Sequence, residues 1–177
     1  RRSEPFARAV FDTGVVPRAV VAACGMLQVT DPGRFGRRRR LPTWVVDLLA
    51  ETSDSYLRDV AVDPALDFAD PLVLLERGTP PDRPLPAFFA PVGTRDPLLD
   101  DTRRLARAID RLGAVCEARY YPGEVHAFHA LTFRKQARRC WHDTFEFLGR
   151  HGGAVPRDGE AQGSISEARM SGAYRGT

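Results

Sequence analysis

The sequence has few cysteines, and none of them is placed to form a framework. Its 177 residues contain three, Cys24, Cys116 and Cys140, which lie far apart and include no C-x-x-C. An odd number at such spacing favours neither a disulfide scaffold nor a zinc cage. Cys24 and Cys116 lie in apolar, strand-like runs, so we interpret both as small core residues. Unpaired thiols are typical of a reduced, cytoplasmic setting.

Lysine and long apolar runs are also scarce. Lys135 is the only lysine, so arginine carries almost all of the positive charge behind the net value of +3. Residues 37–40 are four arginines, but no aromatic side chains alternate with them, and we expect a solvated loop rather than a nucleic-acid surface. No apolar run is long enough to span a membrane. The composition, 43% hydrophobic and 28% charged, suits one soluble globular domain.

Hydrophobic periodicity predicts an alternation of strands and helices. Apolar or β-rich runs predict strands at residues 18–24, 87–92 and 115–121. Amphipathic stripes predict helices over residues 41–57, 100–112 and 137–149. This order implies an α/β fold, with a parallel sheet, right-handed crossovers and flanking helices. Residues 153–177 show no periodicity and are predicted to be a disordered tail.

Two polar side chains follow successive strands of this predicted sheet. Asp96 comes after the strand at residues 87–92, and His126 after the strand at residues 115–121. Since one helix and one strand separate them, both loops should open at the same sheet edge. A carboxylate that accepts Nδ1–H would leave Nε2 free to take a proton from a nucleophile. We therefore predict that Asp96 and His126 are the acid and base of a hydrolytic relay. The simpler alternatives are a turn former before Pro97 and a surface loop histidine.

The nucleophile of such a relay is missing from the sequence. A serine on a strand-to-helix elbow needs small neighbours, as in G-x-S-x-G, because the turn is strained. None of the six serines has that setting: Ser3, Ser53, Ser55, Ser164, Ser166 and Ser171.

Other polar and aromatic residues carry weaker signals. His129 forms H-x-x-H with His126, but no carboxylate or thiolate completes a ligand shell in the sequence, so no metal site is predicted. Trp44 and Tyr56 could line an acyl pocket, although packing explains them better. We assign no substrate-binding residues.

Two motifs carry a family resemblance. G-T-R-D-P-L-L-D-D at residues 93–101 and Y-P-G-E-V-H-A-F-H at residues 121–129, with their spacing, resemble the α/β-hydrolase superfamily. Within it they are similar to the hormone-sensitive-lipase-like carboxylesterases, the fold-3 group. The match covers roughly residues 18–149. By this resemblance Asp96 is the acid of D-P-L-x-D, and His126 is the base of P-G-x-x-H-x-F.

The resemblance also sets expectations for the whole protein. It implies that residues 1–152 are the C-terminal half of an α/β-hydrolase domain, with the nucleophile elbow and oxyanion loop ahead of Arg1. The full polypeptide would be a serine carboxylesterase or lipase that acts on small acyl esters without metal or organic cofactor. The chain would supply acid and base and be inactive alone. A different hypothesis is an inert remnant, or an interaction module that self-associates through an exposed sheet edge.

Overall fold

The computed structural model describes residues 3–37, 41–58 and 64–153. Most of the arginine run and all but the first residue of the predicted tail lie outside these ranges. The helices are α1 (Pro5–Asp12), α2 (Gly33–Gly36), α3 (Thr43–Tyr56), α4 (Pro71–Glu76), α5 (Leu99–Arg111) and α6 (Lys135–His151), with 3₁₀ turns at Pro64–Ala69 and Phe128–Ala130. The strands are β1 (Ala19–Val21), β2 (Ala87–Gly93) and β3 (Cys116–Tyr121).

The three strands form one parallel sheet in the order β1-β2-β3. This confirms the predicted α/β fold. The first strand is shorter than the sequence suggested, because the chain leaves it after Val21. Three residues later Cys24 takes a left-handed backbone conformation, with φ of 49°, while its N–H donates to the carbonyl of Pro91 at 3.1 Å. The carboxyl end of β1 therefore turns sharply beside β2.

The central strand is buried on both faces, which explains its continuous apolar sequence. Phe89 stacks against Phe147 of α6, with ring centroids 5.4 Å apart. The next residue, Ala90, packs on the other face with Leu105 and Ile109 of α5. Burying a phenylalanine side chain contributes about 1.5–3 kcal/mol, so these layers hold β2 firmly. Helices on both sides of a parallel sheet are typical of α/β architecture.

Two local features differ from what short sequence patterns suggest. The crossing before β2 contains α4, with Pro71 at its first position. Helix α5 begins at Leu99 and no side chain caps it, although Asp100, Asp101 and Thr102 in its first turn are residue types that often cap helices.

Asp101 instead ties the segment after β1 to α5. It is 2% exposed, and its Oδ2 accepts the backbone N–H of Leu27 at 3.1 Å and the Arg34 guanidinium at 2.8 Å. Asp70, also buried, accepts the N–H of Val29 at 2.6 Å. Two buried carboxylates thus hold the chain that follows Cys24, a role that no local pattern reveals.

The loops that follow β2 and β3 pass very close to each other at Gly93. Arg95 N–H donates to the carbonyl of Glu124 at 2.9 Å, and Thr94 N–H donates to the carbonyl of Tyr121 at 3.0 Å. A Cβ on Gly93 would lie 2.2 Å from the Glu124 carbonyl oxygen. Glycine is therefore required for these two loops to meet.

The outer edges of β1 and β3 pair with no further strand in the part of the chain that the structure describes. Among the same residues, no helix is both long and apolar enough to cross a membrane.

The first prediction concerns Gly93. Gly93→Ala should lower the free energy of unfolding by about 3 kcal/mol, because the new methyl group would overlap backbone rather than a flexible side chain. Urea unfolding followed by circular dichroism measures this change. Gly149→Ala is the matched control, since nothing lies within 4 Å of its added Cβ. In the helix interior that alanine should stabilise by up to about 1 kcal/mol. Equal stability of both variants would contradict the close approach.

Candidate active site

Asp96 lies in the turn that follows β2, where its carboxylate is buried. Its backbone N–H donates to the carbonyl of Gly93 at 3.1 Å, and its Oδ1 accepts the N–H of Leu98 at 2.7 Å. The side chain has no solvent exposure. Asp96 therefore does form the turn before Pro97, as the simpler alternative proposed. The same geometry aims its second oxygen at the loop after β3.

His126 on that loop meets Asp96. Its Nδ1 is 3.1 Å from Oδ2 and 3.3 Å from Oδ1 of the carboxylate. This hydrogen bond raises the pKa of His126 above its usual value, while partial burial opposes the rise. The imidazole is 51% exposed. With Nδ1 held by a buried carboxylate, Nε2 is the nitrogen left for another partner.

Several contacts set the position of the His126 loop. Gly123 N–H donates to the Thr94 hydroxyl at 2.8 Å, and the Glu124 carboxylate lies 3.2 Å from the Arg134 guanidinium at the start of α6. Glu124 is 4% exposed, whereas the Arg134 side chain is 42% exposed, so only the carboxylate end of this ion pair is shielded from water. The loop is thus attached both to the turn that bears Asp96 and to the helix that covers the sheet.

Asp96 and His126 line a cleft of about 1290 Å³ between α3 and the strand-end loops. Its wall is mostly apolar and includes Trp44, Leu48 and Val125, and no serine among the described residues lines it. Trp44 is 69% exposed and Tyr56 is 67% exposed. The interpretation of these two aromatic residues as packed in the core is therefore not matched by the structure. A smaller cleft of about 710 Å³ beside α1 contains neither Asp96 nor His126.

Cys24 is a site residue that the sequence interpretation missed. Its side chain is buried, as expected of a core residue, but Sγ and one ligand atom each of Asp96 and His126 all lie within 4.8 Å of one another. Burial, together with the Asp96 charge, raises the pKa of the Cys24 thiol to about 12. One signal was available in the sequence: Cys24 is the last residue of the first predicted strand, so in a parallel sheet it lies at the same edge as the other two loops.

His129 lies beside the same thiol. Its Nδ1 is 4.0 Å from Cys24 Sγ, and its ring meets the edge of Trp141 with centroids 6.3 Å apart. Burial, and then the neighbouring His126, lower the pKa of His129. His142 is 70% exposed on α6. The edge of the sheet therefore gathers one thiol, one carboxylate and two imidazoles.

Comparison with known proteins is consistent with this geometry. A family model described as the alpha/beta hydrolase fold matches residues 6–130. No match is found among curated protein sequences. Solved structures that resemble the chain include an esterase, E25, at 19% identity and a TM-score of 0.61, covering 82% of this chain and 44% of that one. An esterase from the bacterial hormone-sensitive lipase family has 19% identity and a TM-score of 0.60, covering 82% and 48%.

A third structure, an esterase/lipase from an uncultured bacterium, has 18% identity and a TM-score of 0.60, covering 80% of this chain and 46% of that one. The chain thus spans somewhat less than half the length of these structures. The resemblance inferred from the two motifs is confirmed by the family match and by the fold of these neighbours. Because that match includes β1, β2, β3 and the loops that bear Asp96 and His126, the chain belongs to the α/β-hydrolase fold family.

Proposed function

We propose that this chain carries the acid and the base of a serine-type carboxylic ester hydrolase and forms the C-terminal half of its catalytic domain. The observation that carries the proposal is the 3.1 Å contact between His126 Nδ1 and the buried Asp96 carboxylate. A carboxylate with no solvent exposure, placed on one imidazole nitrogen, is the arrangement that makes the other nitrogen a directed proton acceptor.

In the proposed reaction, Nε2 of His126 takes the proton of a serine hydroxyl as that oxygen attacks the ester carbonyl. The same proton then passes to the leaving alcohol, which leaves an acyl-enzyme. Water repeats the cycle and releases the acid. Asp96 stays ionised throughout, holds the Nδ1–H tautomer and stabilises the imidazolium. The serine and the oxyanion donors would come from polypeptide outside these 177 residues.

The cleft favours a substrate with an apolar acyl group. Trp44 and Leu48 of α3 face the loop of Val125 and His126 across it. Apolar walls with a few convergent polar groups are typical of small-molecule sites. We therefore propose small or medium acyl esters as the substrate class.

A second candidate function is an inert interaction module. It is favoured by the unpaired outer edge of β1, where Val21 is 39% exposed. An open strand edge with apolar side chains is a template for pairing with another chain. Self-association of the 177-residue chain, with no ester hydrolysis by any longer polypeptide that contains it, would favour this candidate.

The second prediction tests the base. In a longer natural polypeptide that includes residues 1–177 and hydrolyses p-nitrophenyl esters, His126→Ala should lower kcat about 10⁴-fold or more. The physical reason is that alanine removes the Nε2 atom that would accept the nucleophile's proton. Initial rates with a p-nitrophenyl ester measure this. His142→Ala is the matched control, because it removes an exposed imidazole from α6 and should leave kcat unchanged. An unaffected rate in His126→Ala would refute the assignment.

The third prediction tests the acid in the 177-residue chain itself. Nitrogen-15 NMR at a pH where His126 is neutral should show the proton on Nδ1. Asp96→Asn should shift the proton toward Nε2, since an amide can donate to Nδ1 where the carboxylate only accepts. In the longer polypeptide this variant should lower kcat about 10⁴-fold. Asp100→Asn, which alters a carboxylate that is 47% exposed, is the control and should change neither quantity. The same tautomer in all three proteins would mean that Asp96 does not orient the ring.

A further inference from the structure

Two polar side chains at the sheet edge have no task in the proposed relay. They are the thiol of Cys24 and the imidazole of His129, whose Sγ and Nδ1 lie 4.0 Å apart. The thiol is also within 4.8 Å of ligand atoms of both Asp96 and His126. Sulfur, oxygen and nitrogen from the loops that follow β1, β2 and β3 thus lie close together, and the His129 imidazole lies beside the sulfur.

We propose that Cys24, Asp96, His126 and His129 form a binding site for Zn²⁺ or a similar divalent transition metal, and that the bound ion blocks the relay. The donor set decides the class of ion. Thiolate and imidazole ligands suit zinc and its neighbours, whereas magnesium and calcium require oxygen ligands. Four ligands match the tetrahedral coordination of zinc.

The separations are close to what such coordination needs. With metal–ligand distances of about 2.0–2.3 Å, ligand atoms in a tetrahedron are about 3.5 Å apart. The observed separations run from 3.1 Å, between His126 Nδ1 and Asp96, through 4.0 Å, between Cys24 and His129, to at most 4.8 Å within the trio of Cys24, Asp96 and His126. Side-chain shifts of about 1 Å would therefore bring Cys24, Asp96 and His126 to one ion. His129, whose Nδ1 lies 4.0 Å from Cys24 Sγ but outside that trio, would have to move further to complete the ligand shell.

Charge and preorganisation both favour a cation. One thiolate and one carboxylate balance the two positive charges of the ion. The left-handed backbone at Cys24 holds Sγ toward the cluster, while Trp141 Nε1–H donates to the His129 carbonyl at 2.9 Å and holds that loop. Residues held by their own hydrogen bonds lose little freedom on binding.

Proton balance explains the effect on the relay. On binding, the ion displaces the proton of the Cys24 thiol to solvent and takes the Nδ1 position of His126, whose proton moves to Nε2. The imidazole then has no lone pair for a serine hydroxyl, and Asp96 faces the metal rather than Nδ1–H. Metal binding and proton transfer by His126 therefore require the same atoms and exclude each other. The geometry of this site supports the metal proposal whether or not ester hydrolysis is confirmed.

The fourth prediction uses cobalt as a spectroscopic probe of the 177-residue chain. Titration with Co²⁺ under reducing conditions should give one equivalent of tetrahedral cobalt, with a thiolate-to-cobalt charge-transfer band that Zn²⁺ removes by displacement. Cys24→Ser should abolish the band. His129→Asn should weaken binding at least about tenfold, because loss of a direct ligand should cost no less than loss of an outer-shell partner. Thermal melting with and without Zn²⁺ verifies that each variant is folded.

Two control variants separate this site from others. Cys116→Ser alters a half-buried thiol on β3 and should leave the cobalt band intact. His142→Asn disrupts the other candidate cluster among the described residues, formed with Asp143 and Glu146 on α6, and should also leave it intact. The absence of a thiolate band, or a band that survives in Cys24→Ser or disappears in His142→Asn, would overturn the proposal. These measurements need no enzymatic activity, so their failure is distinct from failure of the esterase assignment.

Discussion

The close contact of two backbone segments at Gly93 is the constraint on which the candidate site depends. The turn after β2 and the loop after β3 share hydrogen bonds from Thr94 and Arg95, and only a residue without Cβ lets them approach so closely. Those bonds join main-chain atoms, so they set the distance between the loops independently of any site side chain. Asp96 and His126 lie a few residues beyond this contact, one on each loop. Asp96 and His126 meet because the backbone segments that precede them are already joined.

The Asp96 carboxylate interacts strongly with nearby charged and polar groups because it is buried. Its side chain has no solvent exposure, and its oxygens contact the N–H of Leu98 and the imidazole of His126. Its negative charge also helps to raise the pKa of the Cys24 thiol. A buried anion favours any positive charge that can reach it, and this is the physical basis of both proposals. In the relay the positive charge is an imidazolium that forms for part of each cycle. In the metal site it is a bound ion, which the neighbouring thiol and the second imidazole could also ligate.

The segment after β1 places Cys24, which the sequence indicates as a core residue, at the candidate site. Asp70 and Asp101, both buried, accept backbone N–H groups at Val29 and Leu27 and so hold the chain just beyond Cys24. These hydrogen bonds attach the segment after β1 to α4 and α5. The chain then continues to α3, which forms the apolar wall of the cleft. The thiol and the aromatic side chain of Trp44 are thereby brought to the same cleft as Asp96 and His126. The carboxylates of Asp70 and Asp101, which do not line the cleft themselves, thus help to shape it.

Local pattern determined much of this protein. Apolar runs placed β2 and β3 to within a residue, amphipathic stripes located α3, α5 and α6, and the alternation of strand and helix put Asp96 and His126 on neighbouring loops of a parallel sheet. These features depend on residues close together in the chain. Tertiary structure alone decided that Asp101 binds Arg34, that Cys24 and His129 meet, and that Trp44 lines a cleft. Each of these features depends on residues that are far apart in sequence. The distances between those residues in space depend on how β1, β2 and β3 are arranged side by side.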